Sequence, residues 1–396
     1  MICKITNKRI KKVMSFGEMP IANGFIEKKK FKNEFFYKME IGFNENLSLF
    51  QLNDHPKPTA MFNDKYPFFS GSSNFMKIHF KKFADHLKKN YLKTSSKIIE
   101  IGSNDGTMLQ NFMNNQNKII GFEPSANVAM VSKKRGIPTI NKFFNIENAQ
   151  NLTNYIKQTD LIYASNVICH IPDLSNLIKT IDLLLSKNGI FVFEEPYLGS
   201  MYHKTSYDQI YDEHIYMFSV SSINKIFQLY DFNLINVERQ NTHGGSMRYY
   251  IKRNKVKKKV SNVFKFLELE KRKKIDTIEA SLKFKNDCEK SKNNILKKIK
   301  KIKSSNKRIC GYAATSKSTT VLNYCGIGPE SIDFICDTTK EKIGKYSPGM
   351  HIPIVDMKHF YKSQKDFVYL FAWNHKKEIM NKEKKTKVKW FSHVSE

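Results

Sequence analysis

The chain has 396 residues, 40 % of them hydrophobic, which is enough to build the cores of two or three domains. No apolar run reaches the roughly 20 residues of a membrane span and the N-terminus lacks the apolar stretch of a signal peptide, so a cytoplasmic protein with no membrane partner is expected. A net charge of +30 attracts phosphate backbones, but only seven of the 67 basic residues are Arg, the side chain that reads phosphates and base edges best, so no nucleic-acid partner is expected.

In chain order, residues 1–82 read as a small module of short strands and turns, punctuated at GEMP, HPKP and FSGSS. Residues 83–255 alternate helical and strand patterns, with strands at KIIEIG, IIGFEP, DLIYASN, GIFVFEEP, NLINVER and MRYYI, and predict a mostly parallel sheet. Residues 256–305 form a lysine-rich connector. Across 252–308 there are 22 Lys and Arg against six Asp and Glu, and spaced apolar residues (Val263, Phe266, Ile275, Ile278, Leu282, Ile295, Ile299, Ile302) predict amphipathic helices with solvated lysine faces. Residues 306–396 begin a second α/β pattern at RICGYAA, SIDFICD and KDFVYLFAWN. The fold class is therefore α/β: a central Rossmann-like domain, a small N-terminal α+β module and a C-terminal Rossmann-like domain. The six cysteines show no CxxC spacing and read as reduced, packed thiols.

The stretch KIIEIGSNDGTMLQNF, residues 97–112, reads as strand, tight loop and helix. Gly102 and Gly106 let the backbone turn sharply, and Glu100 and Asp105 offer acceptors. A second strand ends at Glu123, placed to accept hydrogen bonds from ribose hydroxyls. The turn lacks GxGxxG, and its carboxylates would repel a pyrophosphate, which argues against NAD. A cationic nucleoside without phosphate, S-adenosylmethionine, suits it better. An ordinary strand-to-helix connection has the same outline. Asn166 and His170 in NVICHIPDL fall where cofactor or substrate would pass, or cap the next helix.

Tyr207, Tyr211, Glu213 and His214 crowd one loop. His214 is the best general-base candidate because imidazole titrates near neutrality; Asp212 or Glu213 could orient it, and Tyr211 could donate to a developing oxyanion. A hydrogen-bonded structural corner is the plainer reading of the same residues. In THGGSMR, His243 and Arg248 flank paired glycines that permit close approach of a ligand or make a hairpin turn.

With these motifs the sequence resembles the S-adenosylmethionine-dependent C-methyltransferases that act on nucleotide-linked deoxysugars in macrolide and tetronitrose pathways. The resemblance runs through SFGEMPIANGF, KYPFFSGSS, EIGSNDGTML, GFEPSANVA, NVICHIPDL, FEEPYL, SYDQIYDEHIYMFS, THGGSMR, GYAATSKSTTVLNYCGI, DTTKEKIGKYSPGMHIPI and FAWN. It implies an N-terminal zinc module, a class I methyltransferase domain and a C-terminal domain that helps hold a nucleotide-linked 4-keto sugar, in a monomer or homodimer. It further implies that His214 removes the C3 proton beside the ketone, with Tyr211, Glu213 and Tyr66 in the same constellation. Cofactor contacts would come from Glu100, Gly102, Asn104, Asp105, Glu123, Pro124, Asn166 and His170. Substrate contacts would come from Tyr207, His243, Arg248, Thr315 and Lys317.

The chain departs from the family at the zinc module, where two CxxC pairs are usual. Cys3 is followed by Thr6 and Asn7, and the later pair aligns with Asn44 and Leu47. One cysteine cannot hold tetrahedral zinc, so the module is expected to fold without metal on Phe16, Phe25, Phe36, Leu49, Phe50 and Leu52. Two other readings stand beside this one: a methyltransferase for a sugar oxygen or RNA, and a non-catalytic sugar-nucleotide-binding relative.

Overall fold

The β-branched and aromatic runs pair into three sheets in the computed structural model, which describes residues 1–114, 116–253 and 261–394. The expected division at 255/256 lies outside the described residues. In the first sheet β1 (Lys11–Pro20), β2 (Phe36–Asn44) and β3 (Leu49–Leu52) run antiparallel. A distant strand, β9 (Tyr216–Met217), completes it beside β3, with Phe50 opposite Met217. Phe16, Leu49, Phe50 and Leu52 are buried, and Phe25 packs against the cluster that holds Phe16, Phe50 and Leu52; Phe36, expected in this core, starts β2 and is 40 % exposed.

The second sheet has the order β10-β11-β8-β7-β4-β5-β6. Its strands are β4 (Lys97–Ile101), β5 (Lys118–Phe122), β6 (Thr139–Ile140), β7 (Thr159–Ser165), β8 (Leu185–Pro196), β10 (Asn233–Gln240) and β11 (Ser246–Lys252). β4 to β8 are parallel, and β11 and β10 close one edge antiparallel. The helix expected after the glycine turn is only a 3-10 turn, Leu109–Phe112, where the Asn111 side-chain amide donates to the Thr107 and Met108 carbonyls. The helix Asn74–Tyr91 runs straight through the expected division at 82/83. Its face of Met76, Phe80, Phe83 and Leu87, spaced at helical intervals, packs on Ile98, Leu161 and Tyr163 of the central sheet.

The third sheet is wholly parallel in the order β14-β13-β12-β15-β16. It comprises β12 (Ile309–Tyr312), β13 (Ile335–Cys336), β14 (Ile354–Val355), β15 (Phe367–Leu370) and β16 (Lys389–Phe391). Helices Ser261–Arg272 and Ile278–Ser304 connect the two α/β sheets. Val263, Ile278, Ile295, Ile299 and Ile302 are buried as their spacing requires, whereas Leu282 is 43 % exposed. All six cysteines are buried free thiols, and no helix among the described residues is long and apolar enough to cross a membrane.

Candidate active site

The carboxyl ends of the two parallel sheets open onto one cavity of about 740 Å³, where ligands of such sheets ordinarily bind. The central sheet contributes Gly102, Asn104, Glu123, Pro124, Asn166 and His170. The N-terminal module adds Asn23 and Tyr66, and the C-terminal domain adds Thr315, Lys317 and Lys342. Tyr211, Glu213 and His214 enter on the loop between β8 and β9. Because β9 is a strand of the N-terminal sheet, that loop is held at both ends.

The base candidate is fixed in one tautomer. His214 Nδ1 lies 2.6 Å from the Gln209 carbonyl, which can only accept, so Nδ1 carries the proton. Nε2 therefore offers a lone pair, taken up by the Tyr211 O–H at 2.8 Å. Burial first, and the stacked His170 ring 5.2 Å away second, hold the imidazole well below its ordinary pKa, so it is a neutral base. Burial likewise pushes His170 and His243 down to about 3. Beside His214, Glu213 accepts from Asn23 Nδ2 at 2.7 Å and from the Tyr66 O–H at 3.3 Å. Burial raises both Glu213 and its neighbour Asp212 above the usual carboxylate range.

On the nucleoside side, Gly102 has φ +65° and an added Cβ would stand 2.4 Å from Val167, so the turn requires glycine. Glu123, at the tip of β5, accepts from the backbone N–H of Asn104 at 3.0 Å and of Ser125 at 2.7 Å, which leaves lone pairs facing the cavity. Asn166 Oδ1 and His170 Nε2 are buried without partners among the described residues. Asp105, by contrast, is turned away from the cavity. Its Oδ2 accepts from the Gly71 N–H at 2.9 Å and its Oδ1 from the Thr107 hydroxyl at 2.6 Å. Together with Asn104, whose amide donates to the Phe68 carbonyl and accepts from the Ser70 N–H, it ties the YPFFSG strap over the glycine turn. Glu100 is buried under the sheet end, bonded to the Tyr163 hydroxyl at 2.9 Å.

Two residues expected at the substrate lie off the cavity for clear reasons. Arg248 is buried against Glu194, with Nη2–Oε2 at 2.9 Å, and stacks over Phe83. Tyr207 is packed among Tyr324 and His393, its hydroxyl 3.5 Å from Cys325 Sγ. His243, Thr315 and Lys317 do line the cavity. Thr315 caps the helix Ser316–Cys325, and burial lowers the Lys317 ammonium. The paired glycines of THGG meet protein and not ligand: a Cβ on Gly244 would stand 2.2 Å from Trp373, and one on Gly245 2.6 Å from Ser200. Sequence reasoning assigned no role to Asn23 or Lys342, although both sit in motifs it quoted, because nothing in their local spacing marks them as facing Glu213.

This geometry is that of a Rossmann-like methyltransferase. Residues 76–237 match the family described as a methyltransferase domain, and residues 241–393 match the family described as the C-methyltransferase C-terminal domain. The chain is similar to C-methyltransferase NovU of Streptomyces niveus, 27 % identical over 375 residues, 94 % of this chain and 89 % of NovU. Among solved structures it is similar to the plantazolicin methyltransferase BpumL in complex with SAH (14 % identity, 46 % of this chain and 85 % of that one, TM-score 0.35). It is similar also to the PH0226 protein of Pyrococcus horikoshii OT3 (13 %, 47 % and 94 %, TM-score 0.38).

Proposed function

We propose that the chain uses S-adenosylmethionine to add a methyl group to C3 of a nucleotide-linked 4-keto-deoxysugar, for branched-sugar biosynthesis. The observation that carries this reading is the His214 lone pair, oriented by Gln209 and shared with Tyr211, in a cavity that also contains the acidic strand tip Glu123. The residues fit the cofactor: a glycine turn for close approach, a carboxylate with free lone pairs for ribose hydroxyls, and the unpartnered Asn166 and His170 atoms facing the remainder. When bound, the cofactor supplies an electrophilic methyl group on a sulfonium.

The protein's own part is to make carbon nucleophilic. A 4-keto group acidifies the C3 hydrogen, and Nε2 of His214 is the base that accepts it. Taking that proton converts Nε2 from acceptor to donor, so it no longer receives the Tyr211 O–H. The phenol is released to donate to the enolate oxygen as charge develops there. Lys317, Lys342 and the N-terminus of the helix Ser316–Cys325 form the cationic wall suited to the nucleotide's phosphates.

The zinc of the family is not supported by the donors present. Cys3 and Leu47 are buried in one apolar cluster, and Asn44 Oδ1 accepts from the Leu47 N–H at 3.0 Å, so that place offers one sulfur.

The test is mass spectrometry of protein incubated with S-adenosylmethionine and a panel of 4-keto nucleotide-sugars. The expected product gains one methylene, and C3 exchanges with heavy water. His214→Ala should lower both turnover and exchange by about 10²- to 10⁴-fold. Methylation without any C3 exchange would point instead to an oxygen acceptor and refute the carbon-acid reading.

A further inference from the structure

Ala22 and Asn23, in the PIANGF motif, reach two other parts of the chain at once. The Ala22 N–H donates to Asp212 Oδ1 at 3.1 Å, and its carbonyl accepts from the Thr319 hydroxyl at 2.9 Å. Asn23 lines the cavity and donates from Nδ2 to Glu213 Oε1 at 2.7 Å, the shorter of the two side-chain bonds Glu213 receives. Glu213 thus has a donor on each oxygen. Asp212, 1 % exposed, has its Oδ2 buried without a partner among the described residues.

Adjacent buried carboxylates repel, so such a pair favours a single negative charge, placed on the member whose two oxygens both have donors and not on the one with a buried, unpartnered oxygen. The geometry points to Asn23 as a positioning residue that places the charge of the Asp212–Glu213 pair on Glu213, at the cavity wall, and keeps it off Asp212 behind. The role rests on the proposed C-methylation: Glu213 and His214 line the same cavity, and a negative charge there favours the imidazolium formed when His214 takes up the C3 proton. The groups that face Glu213 are Tyr66 from the strap, Tyr211 and Asp212 from its own loop, Cys169 from the turn after β7, and Lys342 from the segment after β13. Lys342 is the cation among them, and Asn23 contributes a donor that does not titrate.

Asn23→Asp removes the donor at constant size, and Asn23→Ala removes the side chain without adding a charge. Each would be measured for kcat and KM across pH on the sugar that the unmodified protein methylates. Each would also be followed by infrared difference titration of the Glu213 carboxyl, assigned by its disappearance in Glu213→Gln. The expected result is kcat lower by about 10- to 100-fold, the range for a hydrogen bond to a charged group, with KM nearly constant. The acid limb of the kcat profile and the Glu213 titration should both move to higher pH, because a carboxyl that loses a donor holds its proton longer. A Glu213 titration and an acid limb unmoved in both variants would overturn the assignment. If the unmodified protein methylates no 4-keto sugar, the proposed function fails, and the infrared titration alone still decides the role of Asn23.

Discussion

Glu194–Glu195 at the end of β8 and Asp212–Glu213 on the following loop are both adjacent, buried carboxyl pairs, and they differ in one member: Glu194 is given cations in hydrogen-bond contact, whereas among the described residues Glu195, Asp212 and Glu213 are not. Glu194 receives His79, Arg248 and Thr242, and although burial alone would raise it, these partners hold it at about 2. Glu195 receives the backbone N–H groups of Val167 and Ile168, while burial pushes it up to about 7. Neither lines the cavity. Asp212 and Glu213 have no cation in hydrogen-bond contact among the described residues, and Glu213 faces the cavity. A carboxyl neutralised by Arg anchors strands; one left with neutral donors holds its proton to higher pH, and of the three such carboxyls here Glu213 is the one at the cavity wall.

The sharpest way to break this comparison is Arg248→Met. It leaves Glu194 buried with His79 but without its permanently charged partner, and such removal costs about 3–5 kcal/mol, so the denaturant midpoint should fall steeply. In the unmodified protein the folded Glu194 sits below its ordinary value of 4.5. Its contribution to stability is therefore complete above about pH 4.5 and fades as pH falls toward about 2. Arg248→Met should flatten that acid-side loss. Unchanged unfolding would mean that His79 and Thr242 suffice to hold Glu194. Glu213→Gln, the matching change in the other pair, should leave the unfolding midpoint almost unmoved while lowering turnover by about 10- to 100-fold, as expected for loss of a charge-assisted hydrogen bond. Equal damage to stability from both changes would erase the distinction.

Much of this was legible in the sequence, and the failures have physical causes. The strands KIIEIG, IIGFEP and DLIYASN could be read because strands buried on both faces leave continuous apolar runs. β6, β9, β13, β14 and β16 are two or three residues long, too short to show alternation; of these only β13 was read, inside SIDFICD. The cavity residues Tyr66, Tyr211, Glu213 and His214 were reachable through motifs, since each motif is a local string. What a string cannot show is which partner a side chain finds across the fold. Arg248 looks the same in sequence whether it meets a phosphate or Glu194, which lies 54 positions away. Asp105 looks like a cofactor acceptor until Gly71 is seen to occupy it.

The smallest effect concerns how the C-terminal domain supports the loop that carries His214. Trp373 of the FAWN motif donates from Nε1 to Asp208 Oδ2 at 2.6 Å, and its ring packs on Gly244 with Lys317 5.2 Å above it. Asp208 Oδ1 also lies 3.3 Å from His393 Nε2 without a hydrogen bond, so Trp373 is the side chain of the C-terminal domain that donates to the residue just before Gln209. The Gln209 carbonyl in turn sets the His214 tautomer. Trp373→Phe keeps the ring and removes only the donor. It should lower kcat by about tenfold, the lower end for a bond to a charged group, and leave cofactor affinity unchanged because Glu123 and Gly102 are untouched. Nitrogen NMR of His214 should show the Nδ1–H signal broadened as the carbonyl loses its fixed place. If that signal and kcat are both preserved, the loop is held by the bond from Thr320 to the Ile210 carbonyl, and the C-terminal domain positions His214 through its helix instead of its FAWN turn.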